Sequence, residues 1–246
     1  MGDAIITGSG TINPGVYDNV KISGSGKVNG DIECKLFSCS GSGKIAGNIT
    51  CGGFSCSGGM HVYGKIISEG NLKCSGAVNA ESDVNVREAH ISGASSIGGS
   101  MSADKLIHVS GTIKVNGSMS AEEIEVSGAL NVKGLVNAEK FTLSINSFSQ
   151  QSSADSIGGS IITVRQTNGN DGFLNNIIGT FFPSREESIL TVKQIEGDTI
   201  ELVNTTADIV RGNNITIGDK CKIRRVEYTG KVTYSDNATI GEMVEI

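Results

Sequence analysis

Tryptophan is absent from this chain of 246 residues, proline occurs twice, and aromatic residues make up only 4%. So few large rings leave a narrow core as the natural interior. A basic surplus is missing as well. The formal net charge of −6 argues against nucleic acid as a partner, because phosphates demand a basic face. There is no run of 18 apolar residues, so no segment reads as a membrane-spanning helix. Met1-Gly2-Asp3-Ala4-Ile5-Ile6 has neither the basic stretch nor the apolar core of a signal peptide. Ile6 also stands where a myristoylation site has Ser or Thr. A cytoplasmic location is expected. What the chain has in quantity is glycine, 34 residues of it.

Those glycines recur at a fixed interval. Val20-Lys21-Ile22, Phe37-Ser38-Cys39, Phe54-Ser55-Cys56, Leu72-Lys73-Cys74, Ala89-His90-Ile91, Ile107-His108-Val109, Ile124-Glu125-Val126 and Phe141-Thr142-Leu143 all alternate apolar and polar. The first seven run directly into Ser-Gly, at Gly24, Gly41, Gly58, Gly76, Gly93, Gly111 and Gly128, a period of 17 or 18 residues. A second block, Val28-Asn29-Gly30-Asp31-Ile32, recurs at Ile45, Val62, Ala80, Ile97, Val115 and Val132, with Ser82 as the one exception to its central glycine. A unit this short cannot bury its own apolar face, so successive units must stack. Alternation ending in Ser-Gly suits a strand and a turn, and glycine permits positive φ or close backbone approach at the bends. The reading is an all-β parallel β-helix of triangular rungs, with about eight of them over residues 1–145. At about 4.8 Å per rung this is a rod of roughly 38 Å.

After Leu143 a polar stretch, Asn146 to Asp155, reads as a loop. Ile157-Gly158-Gly159-Ser160-Ile161 then repeats the pattern of Ile97 to Met101. From Leu190 a 17-residue period pairs Leu190 with Ala207, Val192 with Ile209, Val226 and Met243, Ile200 with Ile217 and Tyr234, Ile215 with Val232 and Ile223 with Ile240. Three sections follow: 1–145, the main coil; 146–188, a loop, one further rung and an insertion; and 189–246, about three more rungs. Within the insertion Phe173, Leu174, Ile177, Ile178, Phe181 and Phe182 fall on one half of a helix, bounded by Asn170 or Asp171 and by Pro183. This short helix either packs against the coil or lies outside it, touching a partner or a membrane interface as a peripheral contact. No Lys or Arg lies within it, which disfavours the membrane version.

The candidates for chemistry dissolve into the repeat. Cys39, Cys56 and Cys74 share a slot with Ile22 and Ile91, and Cys34 and Cys51 share one with Val86. They read as buried thiols, and no C-x₂-C spacing points to a metal. His90 and His108 stack outward with Glu125 one rung on, but the same row reads Lys21, Ser38, Ser55, Lys73 and Thr142, an ordinary solvated face. No nucleotide-cradling loop or nucleophile elbow is present, and the outward acids Asp31 and Asp83 lie three rungs apart. The expectation is a protein that is not an enzyme and uses no cofactor or metal.

The repeats from Val20 to Leu143 resemble the bactofilin family of bacterial polymer-forming cytoskeletal proteins. The run Ala207-Asp208-Ile209-Val210-Arg211-Gly212-Asn213, followed by Ile217-Gly218, Cys221-Lys222-Ile223 and Val226-Glu227-Tyr228, looks like a longer variant with an extra C-terminal section. The resemblance implies a right-handed β-helix that polymerises end to end without nucleotide. It further implies a scaffold for a morphogenetic or envelope-associated partner. The chain departs from the commoner pattern in lacking proline-rich tails and a short apolar N-terminal anchor. Stacked rungs end in unpaired strand edges, a template for another copy. Ile5, Ile6, Ile12 and Val16 at one end, and Ile240, Val244 and Ile246 at the other, are the candidate end faces. The alternative is a monomeric β-helical module that binds a partner or a carbohydrate.

Overall fold

The computed structural model describes residues 2–145, 151–166 and 190–246. The chain opens with β1 (Ala4–Ile6) and β2 (Ser9–Ile12). Long and short strands then alternate: β3 (Gly15–Ile22), β4 (Ser25–Val28), β5 (Ile32–Cys39), β6 (Ser42–Ile45), β7 (Ile49–Cys56), β8 (Gly59–Val62), β9 (Ile66–Cys74) and β10 (Ala77–Ala80). The alternation continues through β11 (Val84–Ile91), β12 (Ala94–Ile97), β13 (Met101–Val109), β14 (Thr112–Val115) and β15 (Met119–Val126). Longer strands follow as β16 (Ala129–Ile145), β17 (Ser152–Gln166), β18 (Leu190–Leu202) and β19 (Thr205–Ile217). The chain closes on β20 (Lys222–Tyr228), β21 (Val232–Tyr234) and β22 (Thr239–Glu245). All pairings are parallel, and together they form one β-solenoid of about 13 turns. No helix occurs among the described residues; the helix expected over Phe173 to Phe182 lies outside them.

Alternation decides which side chains enter the core. In β5, Ile32, Cys34, Phe37 and Cys39 are buried while Lys35 and Leu36 stand exposed between them, so one long strand supplies two sides of a triangle. The short strand β4 supplies the third, through Gly26 and Val28. Val20, Phe37, Phe54, Leu72, Ala89, Ile107, Ile124 and Phe141 are partners in unbroken register, as the repeat implies. The Phe37 and Phe54 rings stack at 5.4 Å with 5° between their planes. An additional turn precedes the expected eight, since Ala4-Ile5-Ile6 pairs with Val20-Lys21-Ile22. The alternation of 17 with 18 residues also has a cause. β9 and β13 carry one extra residue at the corner inside the long strand, where the ladder shifts register as a bulge.

The Ser-Gly corner explains the period. A Cβ at Gly24, Gly41, Gly58, Gly76, Gly93, Gly111 or Gly128 would lie 1.7–2.0 Å from the carbonyl oxygen of the corner glycine one turn earlier. None of these glycines has φ in the left-handed range, so close backbone approach, and not positive φ, requires them. At the second corner a side chain adds to close backbone, which a Cβ on Gly47, Gly64 or Gly99 would meet at 2.4–2.9 Å. The amide of Asn48 donates to Asp31 Oδ1 at 2.7 Å, that of Lys65 to Asn48 Oδ1 at 2.8 Å, and that of Ser100 to Asp83 Oδ1 at 3.0 Å. A Cβ on Gly47, Gly64 or Gly99 would collide with those same acceptors at 2.2–2.5 Å. Ser82 breaks the glycine rule one turn above Lys65, which offers no acceptor to collide with.

Past β16 the register differs from the sequence expectation. Ile157 pairs with Val136, and so belongs to the column of Met119 and Met101, not that of Ile97. Leu190 pairs with Thr205, Val192 with Ala207 and Ile200 with Ile215, a 15-residue turn where 17 was expected. A tight corner at Val203-Asn204 shortens it, with Asn204 at φ 48°, a conformation asparagine tolerates. The slip of two residues keeps Leu190, Val192 and Ile200 on their expected face. Ile209, expected in the column of Val192, pairs instead with Gln194 and Arg225 in an outward row. The Ile215–Val232 and Ile223–Ile240 pairs stand as expected.

The glycine argument is testable by contrast. Gly93→Ala should cost about 3 kcal/mol from overpacking and lower the melting temperature by about 6–12 °C. Gly59→Ala, whose Cβ would meet nothing within 4 Å, should leave it within a degree or two. Equal melting of the two variants would contradict the stacking role.

Candidate functional site

The expected end-face residues separate by parity. Ile6 and Ile12 are core residues of the first turn, 7% and 6% exposed. Ile5 and Val16 pair with the outward Lys21 and Glu33, so they stand on the sides of the rod and not in its end face. Sequence reasoning passed over Tyr17. It fills the inward slot opposite Cys34, packs on the core and donates its hydroxyl to the Asn13 carbonyl at 2.8 Å. Together with residues 4–13 it lines a shallow concavity of about 530 Å³.

At the other end, Ile240 pairs with Ile223 and packs against the core. Val244 pairs with Glu227 in an outward row, a correction to its end-face assignment. The inward residue there is Met243, partner of the fully buried Val226. Ile246 is exposed, and its amide donates to the Tyr228 carbonyl. Phe173, Leu174, Ile177, Ile178, Phe181 and Phe182 lie outside the described residues.

All six cysteines are buried and unpaired. Burial pushes the Cys34 thiol up to about 12 and Cys51 up to about 11, with the Ser68 hydroxyl opposing the shift at Cys51. Ser68 follows Cys51 in the same column, and its Oγ has no partner of good hydrogen-bond geometry, so this weak thiol contact is the polar company it keeps. Contact with Cys39 and burial push Cys56 up, and burial does the same for Cys74 and Cys221. Contact with Cys56 holds the Cys39 thiol down, but all six thiols are buried. Native protein at pH 8 should therefore react with a thiol reagent far more slowly than denatured protein, which should expose six thiols. Rapid labelling of Cys39, Cys56 or Cys74 in the folded state would contradict the inward column.

The outward columns carry the charged groups. His90 pairs with His108, and His108 with Glu125. Glu125 Oε2 lies 3.1 Å from His108 Nδ1, and Glu88 lies 3.9 Å from His90 Nε2. Among the described residues no three His, Cys, Asp or Glu side chains are grouped so as to hold a metal ion. A network that sequence reasoning did not anticipate spans the last turns. Glu227 Oε2 meets Arg211 at 2.6 Å, its Oε1 meets Arg225 Nε at 2.7 Å, and Arg225 reaches Glu242 at 2.9 Å.

Arg211 and then Arg225 hold the Glu227 carboxyl below its usual range. A depressed carboxyl stabilises the fold above its unfolded pKa of about 4.3, and that contribution is lost as pH falls through the lower folded value. Glu227→Gln should therefore lower the melting temperature at pH 7, and the gap to wild type should close as pH falls below the unfolded value of about 4.3. Parallel melting curves over that range would remove the network from the account.

No family model matches the chain, and no solved structure matches it. Two curated proteins of Bacillus subtilis (strain 168) are similar to parts of it. Uncharacterized protein YhbE is 48% identical over 54 residues, 22% of this chain and 23% of YhbE. Uncharacterized protein YhbF is 34% identical over 90 residues, 37% of this chain and 33% of YhbF. The matches thus span about a quarter and a third of the lengths of those relatives. No helix among the described residues is long and apolar enough to cross a membrane.

Proposed function

We propose that this chain is a non-enzymatic structural scaffold whose coils join end to end into a polymer. One observation carries the reading. Each turn is held to the next by the same parallel ladder, and the terminal strands use only one of their edges. β1 and β2 pair with β3 and β4 alone, and β21 and β22 with β19 and β20 alone, among the described residues. The free edges carry backbone donors and acceptors of the same spacing, which a second copy can extend. The resemblance of the repeats to bactofilins points the same way.

Gly10 supplies the test. It heads the column of Gly26 and Gly43, and a Cβ there would meet only the Ile6 side chain at 3.6 Å. A carboxylate at Gly10 thus stays in solvent in a single molecule, but beneath a docked turn it would be buried unpaired in a core column. Wild-type protein should form filaments by electron microscopy and sediment as polymer, surviving ~1 M salt that would screen lateral ion pairs. Gly10→Glu should remain monomeric with an unchanged melting temperature. Monodisperse wild-type monomer at high concentration would replace the polymer with a module that binds through its sides.

A further inference from the structure

The His90–His108 pair occupies the same position on adjacent strands, outside the core. The two rings stand 6.1 Å apart between centroids with 41° between their planes. Both side chains are substantially exposed, 42% and 39%. Each ring has its own carboxylate: Glu125 Oε2 at 3.1 Å from His108 Nδ1, and Glu88 Oε2 at 3.9 Å from His90 Nε2. The column reads Lys73, His90, His108, Glu125, so one cation and one anion flank the pair.

A carboxylate engaged with one imidazole nitrogen fixes the tautomer and leaves the other nitrogen as a donor atom, the usual outer partner of a metal-binding histidine. Here the Glu125 hydrogen bond leaves Nε2 of His108, while Glu88, 3.9 Å from His90 Nε2 and beyond hydrogen-bond distance, supplies nearby negative charge and leaves the tautomer of His90 open. Two imidazole nitrogens on one ion, at about 2.0–2.1 Å each, stand about 3.4 Å apart in a tetrahedral site, which places the ring centroids about 5 Å apart. Closing from the observed 6.1 Å requires only rotation of exposed side chains. Imidazole suits zinc, copper and nickel, and the two carboxylates offset the charge of a divalent ion. His61, the third histidine, lies on the short-strand side, where it meets Glu81 at 2.8 Å and has no second imidazole beside it.

We propose that His90 and His108 form a two-imidazole site for a divalent transition ion such as Zn²⁺, with His108 oriented by Glu125 and the charge offset by Glu88 and Glu125. It is a two-point chelate and not a closed cage, so the other coordination positions remain open to solvent or to a donor from another molecule. The probes are Zn²⁺ in calorimetric titration and Cu²⁺ in electron paramagnetic resonance, on the full chain near pH 7.5. Wild type should bind one Zn²⁺ per chain, and its Cu²⁺ spectrum should show coupling to two nitrogens. His90→Ala and His108→Ala should each weaken Zn²⁺ at least tenfold and remove one nitrogen, with melting temperatures unchanged. Glu125→Gln should weaken binding by about tenfold, while His61→Ala should bind as wild type. Wild-type binding no stronger than that of the His90→Ala/His108→Ala double variant, or loss on His61→Ala alone, would overturn the proposal.

Discussion

Backbone lies on backbone at the Ser-Gly corner, closer than any side chain permits. The glycine column from Gly24 to Gly128 stacks each turn on the carbonyl of the turn before, and an added Cβ would sit within 2.0 Å of that oxygen. A slip by one residue would bring a serine into the space of a glycine and turn every inward side chain outward. Core packing and corner contact therefore demand the same register, and the columns of identical position follow from it. The C-terminal turns use the same device at another corner, with Gly159, Gly197 and Gly212 stacked on one another.

Columns, not single residues, are the units in which this molecule places chemistry. An inward column accepts Phe, Leu, Ile or Cys because only volume and apolarity matter there, which is why Cys39, Cys56 and Cys74 pass as hydrophobes. The corner column of Asp31, Asn48, Asp83 and Ser100 spends its polar side chains on the amides of the next turn, leaving less of their hydrogen-bonding capacity for a ligand. Outward columns are free to vary. They hold the His90–His108 pair and the Arg211–Glu227–Arg225 network, each made by residues on strands that pair in the ladder.

The repeat, its faces and its corners were legible in the sequence because a short period and strict alternation leave one register for residues 20–143. Two kinds of feature escaped. The tight corner at Asn204 shortens a turn by two residues without changing the face of Leu190, Val192 or Ile200, so most of the apolar pattern fits both registers; Ile209, which falls beside Gln194 and not in the column of Val192, is the exception. The same even slip cannot be seen without the pairing. End faces were misread for the opposite reason. Ile5, Val16 and Val244 are apolar but of outward parity, whereas Tyr17 has an inward parity that composition does not announce; Met243, which the 17-residue period already set beside Val226, is the inward residue of the last strand. The ion pairs around Glu227 join positions 16 or 17 residues apart on neighbouring strands, together with an i, i+2 pair, and became visible only once the register of the last turns was fixed.

Register is also what a single distance can measure. Ser38 and Thr142 occupy one outward column, six turns apart, through Ser55, Lys73, His90, His108 and Glu125. Spin labels on cysteines introduced at those two positions, with the buried native thiols left unreacted, would report their separation by pulsed dipolar spectroscopy. Stacking at about 4.8 Å per turn gives roughly 29 Å between the labelled backbones, in one narrow distribution. A broad distribution, or a mean displaced by more than the reach of the labels, would contradict a coil in which each turn is set by the one before it.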